Sequence, residues 1–505
     1  MADEQQAPTA KQQKYDRQLR IWKAHGQAAL ESAKICLINA TATGTEILKN
    51  LILPGIGSFT ILDSKVVTGS DVGNNFFLEE RSIGKSRAQC AVDLLRELNE
   101  DVQASADDRD PVELIDSRPE YFTQYTLVIA VGLPEKAITK LADTLWAANI
   151  PVVVVRLVGF MACIRLAVKE HVVVESHPEN PVFDLRLDQP FPELRDFALT
   201  FEFDTMDSMS YSHIPWIAIL LRALQDYKNK HNDIIPTRAQ MREFIERHYK
   251  RTDVNDLENF DEAAANAWRA LVKTSIRTNT AEVLKMASDM KLLSSTNDFW
   301  FVSRAVNDFV QNEGGGMLPL PGNVPDMKAD TRKFVDLQFV YRNKARHDAS
   351  IIRSRVDKLL ALAGRSAASI SDEDEYTSPD LKKLDQLLED ADSNLKYYII
   401  FRAVDLFYET HSYYPGVAEY ETDVPKLKKA TQTVLTKMGL VGKSIKDDDI
   451  QEIVRAGGSE LHTMAAILGG AVSLEVIKLI THQYVPLNNT TIINMIKAQT
   501  ETYVL

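Results

Sequence analysis

The chain has 505 residues, 45% of them hydrophobic and 26% charged, which places it with globular proteins large enough to bury more than one core. With 58 basic against 71 acidic side chains the net charge is −13, so no diffuse basic field attracts nucleic acid and any anion site has to be local. The three cysteines, Cys36, Cys90 and Cys163, form no CxxC pair or Cys/His cluster, which argues against a disulfide framework or a structural zinc site and for a reducing compartment. No apolar run of membrane length stands out, and the polar opening MADEQQAPTAKQQK lacks a signal-peptide core. The expectation is a cytoplasmic and nuclear chain without a transmembrane segment.

From residue 11 to 168 apolar strands alternate with helical stretches. The segment KYDRQLRIW is followed by ICLI, a helix from Glu46, SFTILD, a helix around 85–99, TLVIAV, a helix around 135–148 and PVVVVRL. This order predicts a Rossmann-like α/β unit, a parallel sheet covered on both faces. Between Ile38 and Glu46 a phosphate loop is expected, because amides at a helix N-terminus bind phosphate and glycines let the backbone come close. The linker is instead Asn39-Ala40-Thr41-Ala42-Thr43-Gly44, with one glycine.

From 169 to 455 the pattern is helical, as in PWIAILLRALQDYKNKH and SIIRSRVDKLLALAG, and predicts a large helical insertion. Two segments read as loops: 312–327, rich in glycine and proline, and the acidic stretch 371–380, a solvated loop. After the first, Phe334, Leu337, Phe339, Val340 and Tyr341 present more apolar surface than a free loop exposes, and a partner-subunit interface is expected there. From 456 to 505 a helix with Ser459 at its N-cap and small residues in its middle (Ala465, Ala466, Gly469, Gly470, Ala471) precedes two strand-like runs, NTTIINMI and ETYVL. These could rejoin the first sheet, so that sequence-distant ends share one domain.

Residues 14–168 and 456–505 resemble the adenylation fold of the ubiquitin-activating enzyme family. KYDRQLRIW is similar to its N-terminal YxRQ-type segment. NATATGTEILKNL stands in register with its GxGGLGxE loop and following helix, and ELHTMAAILGGAVSLEVIKLITHQYVPLNN with its C-terminal helix and strand. The segment GNVPDMKADTRKFVDLQFVYRNKA extends the resemblance over essentially the whole chain, to the regulatory subunits of the neddylation branch. The resemblance implies a heterodimer. A catalytic, cysteine-bearing subunit adenylates the neddylation ubiquitin-like modifier and takes it as a thioester, while this chain scaffolds the enzyme. The insertion would then be a cysteine-free counterpart of the family's catalytic-cysteine domain, and the amyloid precursor protein a further expected partner.

Departures from the family pattern imply that the nucleotide site in this chain is not used. Asn39, Thr41 and Ala42 replace loop glycines, and Lys65 replaces a second strand-end carboxylate beyond Asp63, which could still bind a ribose. Asp71, Asn74 and Asn75 stand where the family has Asn, Arg and Gln, and Pro134 stands where a magnesium-binding Asp is expected. No cofactor is therefore expected in this chain; ATP and magnesium would belong to the partner subunit. Arg17, in the YxRQ-type segment, would act catalytically in trans on the partner's ATP, its guanidinium fork suited to phosphate oxygens. Arg20 and Lys23 lie nearby, but no motif singles them out. Alternatives are a regulatory subunit for the sumoylation modifier, an autonomous NAD-dependent oxidoreductase, which needs a working dinucleotide loop, and a pure adaptor. The cysteines read as core residues rather than nucleophiles.

Overall fold

A computed structural model describes residues 10–177, 183–288, 298–363, 381–390 and 392–505. The acidic stretch 371–380 lies outside the described residues.

The elements that build the site are strands β1 (Lys34–Ile38), β2 (Ser58–Leu62), β3 (Gln103–Asp107), β4 (Leu127–Val131), β5 (Val152–Val158), β6 (Met161–Ala167), β7 (Thr490–Asn494) and β8 (Gln499–Tyr503). Eight helices matter below: α1 (Asp16–Ser32), α2 (Ala42–Ile52), α3 (Arg87–Leu95), α4 (Glu135–Ala147), α5 (Trp216–Lys230), α6 (Thr331–Leu362), α7 (Leu395–His411) and α8 (His462–Thr481).

All eight strands form one sheet in the order β3-β2-β1-β4-β5-β6-β7-β8. The pairs from β3 to β5 are parallel, as the βα alternation requires; β5 to β8 pair antiparallel. β4, and β1 beyond the exposed Lys34 at its start, are apolar because helices cover both faces. The C-terminal runs do rejoin the sheet, β7 pairing with β6 through Cys163↔Ile492 and neighbouring positions.

On one face α8 lies across α2. A Cβ on Gly469 would stand 2.8 Å from Glu46 Cβ, so only a glycine admits this approach. Met464, Ala465, Leu468, Val472, Val476 and Leu479 of α8 join Ile35, Leu37, Ile47, Leu48 and Leu51 in one core. The length and apolarity of this helix correct the expectation that no apolar run reaches membrane length. By length and composition α8 could cross a membrane, and its place in the core accounts for that composition. Ser459 is not its N-cap either: the helix starts after Leu461, and Ser459 Oγ donates back to Ala456 O.

The chain forms two compact units, Met1–Pro178 with Glu375–Leu505, and Glu179–Asp374. The insertion is thus shorter than 169–455. Residues beyond Glu375 belong with the sheet, because α7 packs Ile399, Ile400, Val404 and Phe407 into one core with Met161 and Cys163 of β6 and Ile492 of β7. Helical periodicity shows that a segment buries a face, not which core receives it.

In the second unit α5 packs Trp216, Ile217, Leu220 and Leu224 into a helical core. α6, N-capped by Asp330, adds Leu337 and Tyr341, one turn apart and both 0% exposed. Tyr341 Oη donates to Leu185 O at 2.7 Å, and its ring stands edge-on to Phe191. The expected partner interface is therefore corrected at these two positions: they face their own core. Phe334 and Val340 are half-buried, and Phe339 is 51% exposed on the outer face. Leu337→Ala should cost about 2–5 kcal/mol in urea unfolding by leaving a cavity, whereas Phe339→Ala should stay within about 0.5 kcal/mol. Equal losses would refute the assignment of faces.

Candidate functional site

The turn from β1 into α2 borders a cleft of about 440 Å³ in the first unit, lined among others by Asn39, Thr41, Lys65, Asp71, Arg87, Arg156, Tyr414 and Glu460. It lies at the carboxyl ends of the parallel strands, where open α/β sheets bind ligands. Asn39 takes a left-handed backbone, φ 71°, and its side chain donates to Val131 O at 2.7 Å. Thr41 caps α2 by accepting from Gly44 N. Thr45 Oγ1 donates to Asn75 Oδ1 at 2.9 Å, and Asn75 Nδ2 donates to Ala40 O at 3.1 Å. Asn75, expected where the family contacts nucleotide, is buried and braces the loop instead. Gly44, the remaining loop glycine, is demanded by packing: a Cβ there would lie 2.6 Å from Asn39 O.

At the α2 N-terminus, where a phosphate would be held, Glu460 Oε2 accepts from Thr43 N at 2.8 Å and from Thr43 Oγ1 at 2.7 Å. The helix dipole and a free amide favour an anion at this point, and the chain's own carboxylate supplies it. Sequence reasoning missed Glu460, which is 417 positions away from Thr43.

Asp63 is fully buried. It accepts from Ala40 N at 2.8 Å, Lys65 N at 3.0 Å and Arg87 Nε at 2.6 Å, so the carboxylate expected for a ribose is engaged within the protein. Arg87, at the start of α3, was also missed, although a buried Asp63 requires a counter-charge. Its guanidinium also donates to Asp71 Oδ1 at 3.1 Å, while Nη2 is buried without an acceptor among the described residues. Burial disfavours the ionised Asp71, but hydrogen bonds from Thr68 and the charge of Arg87 outweigh it and hold its carboxyl below the usual range.

Across the cleft Arg156 of β5 forms a buried ion pair with Asp405 of α7 and also donates to Leu133 O. Burial pushes the Asp405 carboxyl up to about 6 despite the opposing charge of Arg156. Pro134 is the N-cap of α4 and offers no side-chain ligand. Three cations, Lys65, Arg87 and Arg156, thus share the neighbourhood with four carboxylates, Asp63, Asp71, Asp405 and Glu460. Among the described residues no group of three His, Cys, Asp or Glu could hold a metal ion.

Arg17 stands apart from this cleft's lining, exposed on the first turn of α1, its side chain without an ion pair or hydrogen bond to the described residues. Cys36 and Cys163 are buried, the Cys163 thiol pushed up to about 12 by burial, and Cys90 is half-buried against the sheet core; none has the exposed, electropositive setting of a nucleophile.

A model of the ThiF family matches residues 15–504. The chain belongs to the ThiF family. Within it, the chain is 44% identical to the NEDD8-activating enzyme E1 regulatory subunit of Danio rerio, over 98% of this chain and 99% of that one. It is also 44% identical to the protein of the same name from Xenopus laevis, with 98% and 99% covered. Identity to the regulatory subunit AXR1 of Arabidopsis thaliana is 37%, with 95% and 94% covered. The resemblance to regulatory subunits of the neddylation branch, read from the segment GNVPDMKADTRKFVDLQFVYRNKA, is borne out along the full length of this ThiF chain.

The Asp405 pair makes a pH prediction. Its folded value of about 6 lies above the ordinary 3.8, so between these values the folded state holds a proton that the unfolded state has released. Stability from this group is greatest at the acid end and falls as pH rises through that window. The stability difference between the native chain and Asp405→Asn should therefore shrink from pH 4 to pH 6 by this contribution, as read by urea unfolding at each pH; a difference that grows would contradict the direction given.

Proposed function

We propose that this chain is the non-catalytic subunit of a heterodimeric enzyme that activates the ubiquitin-like modifier NEDD8. In this reading the partner subunit holds ATP and magnesium, adenylates the modifier and receives it on its own cysteine. This chain fixes the architecture of the pair and lends Arg17 to the partner's triphosphate.

The observation that carries the reading is the carboxylate of Glu460 on Thr43 N and Oγ1, an internal anion where a nucleotide phosphate would otherwise be bound. The engagement of Asp63 by Arg87 and the buried Asn75 support it, since the groups that would meet a nucleotide bond one another instead. Near full-length identity to proteins named as regulatory subunits supports the role. The same occupied loop disfavours an autonomous NAD-dependent dehydrogenase, whose pyrophosphate needs that helix N-terminus.

For Arg17 the supporting observation is its exposure without an internal partner in a helix whose next turn is well anchored. Adenylation redistributes charge over the triphosphate, and a guanidinium fork stabilises those oxygens as they change.

Two outcomes are expected. Calorimetry of the isolated chain with magnesium and ATP should show no micromolar binding; a heat of that strength would sink the reading. In single-turnover adenylation by the reconstituted heterodimer at saturating partner, Arg17→Ala should lose a charge-assisted contact of about 1.5–3 kcal/mol, or about ten- to 150-fold in rate. Arg17→Lys should recover part of it, because a point charge attracts but does not fork. A loss that merely tracks weaker assembly would demote Arg17 to an interface residue.

A further inference from the structure

Arg17 is carried by a helix that is not continuous. α1 bends at Lys23, whose backbone lies at φ 60°, ψ −176°. That region is essentially reserved for glycine, and a residue with a side chain stays there only where its surroundings over-determine it. The surroundings are specific. At the bend Gln483 Nε2, fully buried just beyond the end of α8, donates to Trp22 O at 2.9 Å. The same nitrogen lies 2.9 Å from His25 Nε2, on the far side of the bend, and Gln483 Oε1 lies 2.9 Å from His177 Nε2. One amide thus bonds both arms of the junction, and with His25 as acceptor and His177 as donor it has no group left over.

The neighbouring strand of chain completes the clamp. Glu175 pairs with Lys23 Nζ at 2.8 Å, and Glu175 and Gln483 run as a parallel bridge, with Tyr484 N donating to Glu175 O at 2.7 Å. Gly26 is required beneath them: a Cβ there would lie 2.8 Å from Trp22 Cβ and 2.9 Å from Gln483 Nε2. The other end of the short arm is fixed separately by Tyr15, buried with its hydroxyl on Asn99 Nδ2 at 3.1 Å. Arg17 sits between these two anchors, two residues from one and six from the other.

We propose that Gln483 and Glu175 are positioning residues for Arg17: they hold the strained junction at Lys23, and so the direction of the segment that presents the guanidinium. The inference rests on the trans role given to Arg17 above. A straight helix would carry Arg17 along the axis of residues 24–32; the clamp turns it away at a cost in backbone strain that a purely structural helix has no reason to bear.

The test is a double-mutant cycle in single-turnover adenylation by the reconstituted heterodimer at saturating catalytic subunit, with folding checked by circular dichroism. Gln483→Ala should slow adenylation about three- to tenfold, since displacement of a catalytic contact by a fraction of its length is felt in rate. In the Arg17→Ala background the same change should cost nothing further. Should the alanine variant fold poorly, Gln483→Glu, which keeps the size but loses the donor to Trp22 O, should show the same three- to tenfold loss and the same lack of effect without Arg17. Lys23→Gly, which adopts the observed backbone without strain, should raise the melting temperature above that of Lys23→Ala. A native rate for folded Gln483→Ala and Gln483→Glu, or an equal loss with and without Arg17, overturns the proposal. A native rate for Arg17→Ala instead overturns the trans role on which it stands.

Discussion

The close crossing of α8 over α2 at Gly469 is the constraint on which the first unit depends. With 2.8 Å between a would-be Cβ and Glu46, the two helices are locked in register, and everything attached to α8 inherits its position from that contact. Glu460 precedes α8 by two residues and is thereby delivered to Thr43. Gln483 follows α8 by two residues and is delivered to the bend in α1. β7 comes next and closes onto β6. The packing of one small residue thus sets both the anion that fills the α2 N-terminus and the clamp behind Arg17.

The cleft shows how a nucleotide-type fold stays stable once its ligand contacts are replaced. A free helix N-terminus and a buried carboxylate are each costly if left alone. Here the first is met by Glu460 and the second by Arg87, with Thr41, Thr45 and Asn75 tying the loop between them. Side chains replace both the flexibility of glycine and the charge of a phosphate.

Much of this was legible from sequence where burial is two-sided. ICLI and TLVIAV became strands because a strand covered on both faces has to be apolar, and SFTILD and PVVVVRL did so although Ser58, Thr60 and Arg156 interrupt their apolar runs. β3, reading QASAD, was missed: it lies at the sheet edge, half solvated, and carries no apolar run. The boundary near 375 was missed because the apolar stripe of α7 does not name the sheet as its target. Around Leu337 and Tyr341 the sequence mixes charge and apolar residues, a pattern shared by an interface and by an amphipathic helix with one face in a core. Arg87 and Glu460 illustrate the remaining gap. Each acts on a residue far along the chain, 24 and 417 positions away, and local spacing holds no trace of either pairing.

The order of strands in the sheet also bears on how the protein is made. β6 ends at Ala167 and its neighbour β7 begins at Thr490, so more than three hundred residues must be synthesised between them. At about 5–20 residues per second a ribosome takes on the order of 15–65 s over that span. During that interval the β6 edge and the face of α2 that receives α8 have no covering chain, and the whole stretch of the second unit, Glu179–Asp374, is synthesised before the first unit can close. The sheet is therefore the last part of the nascent chain to receive all its strands.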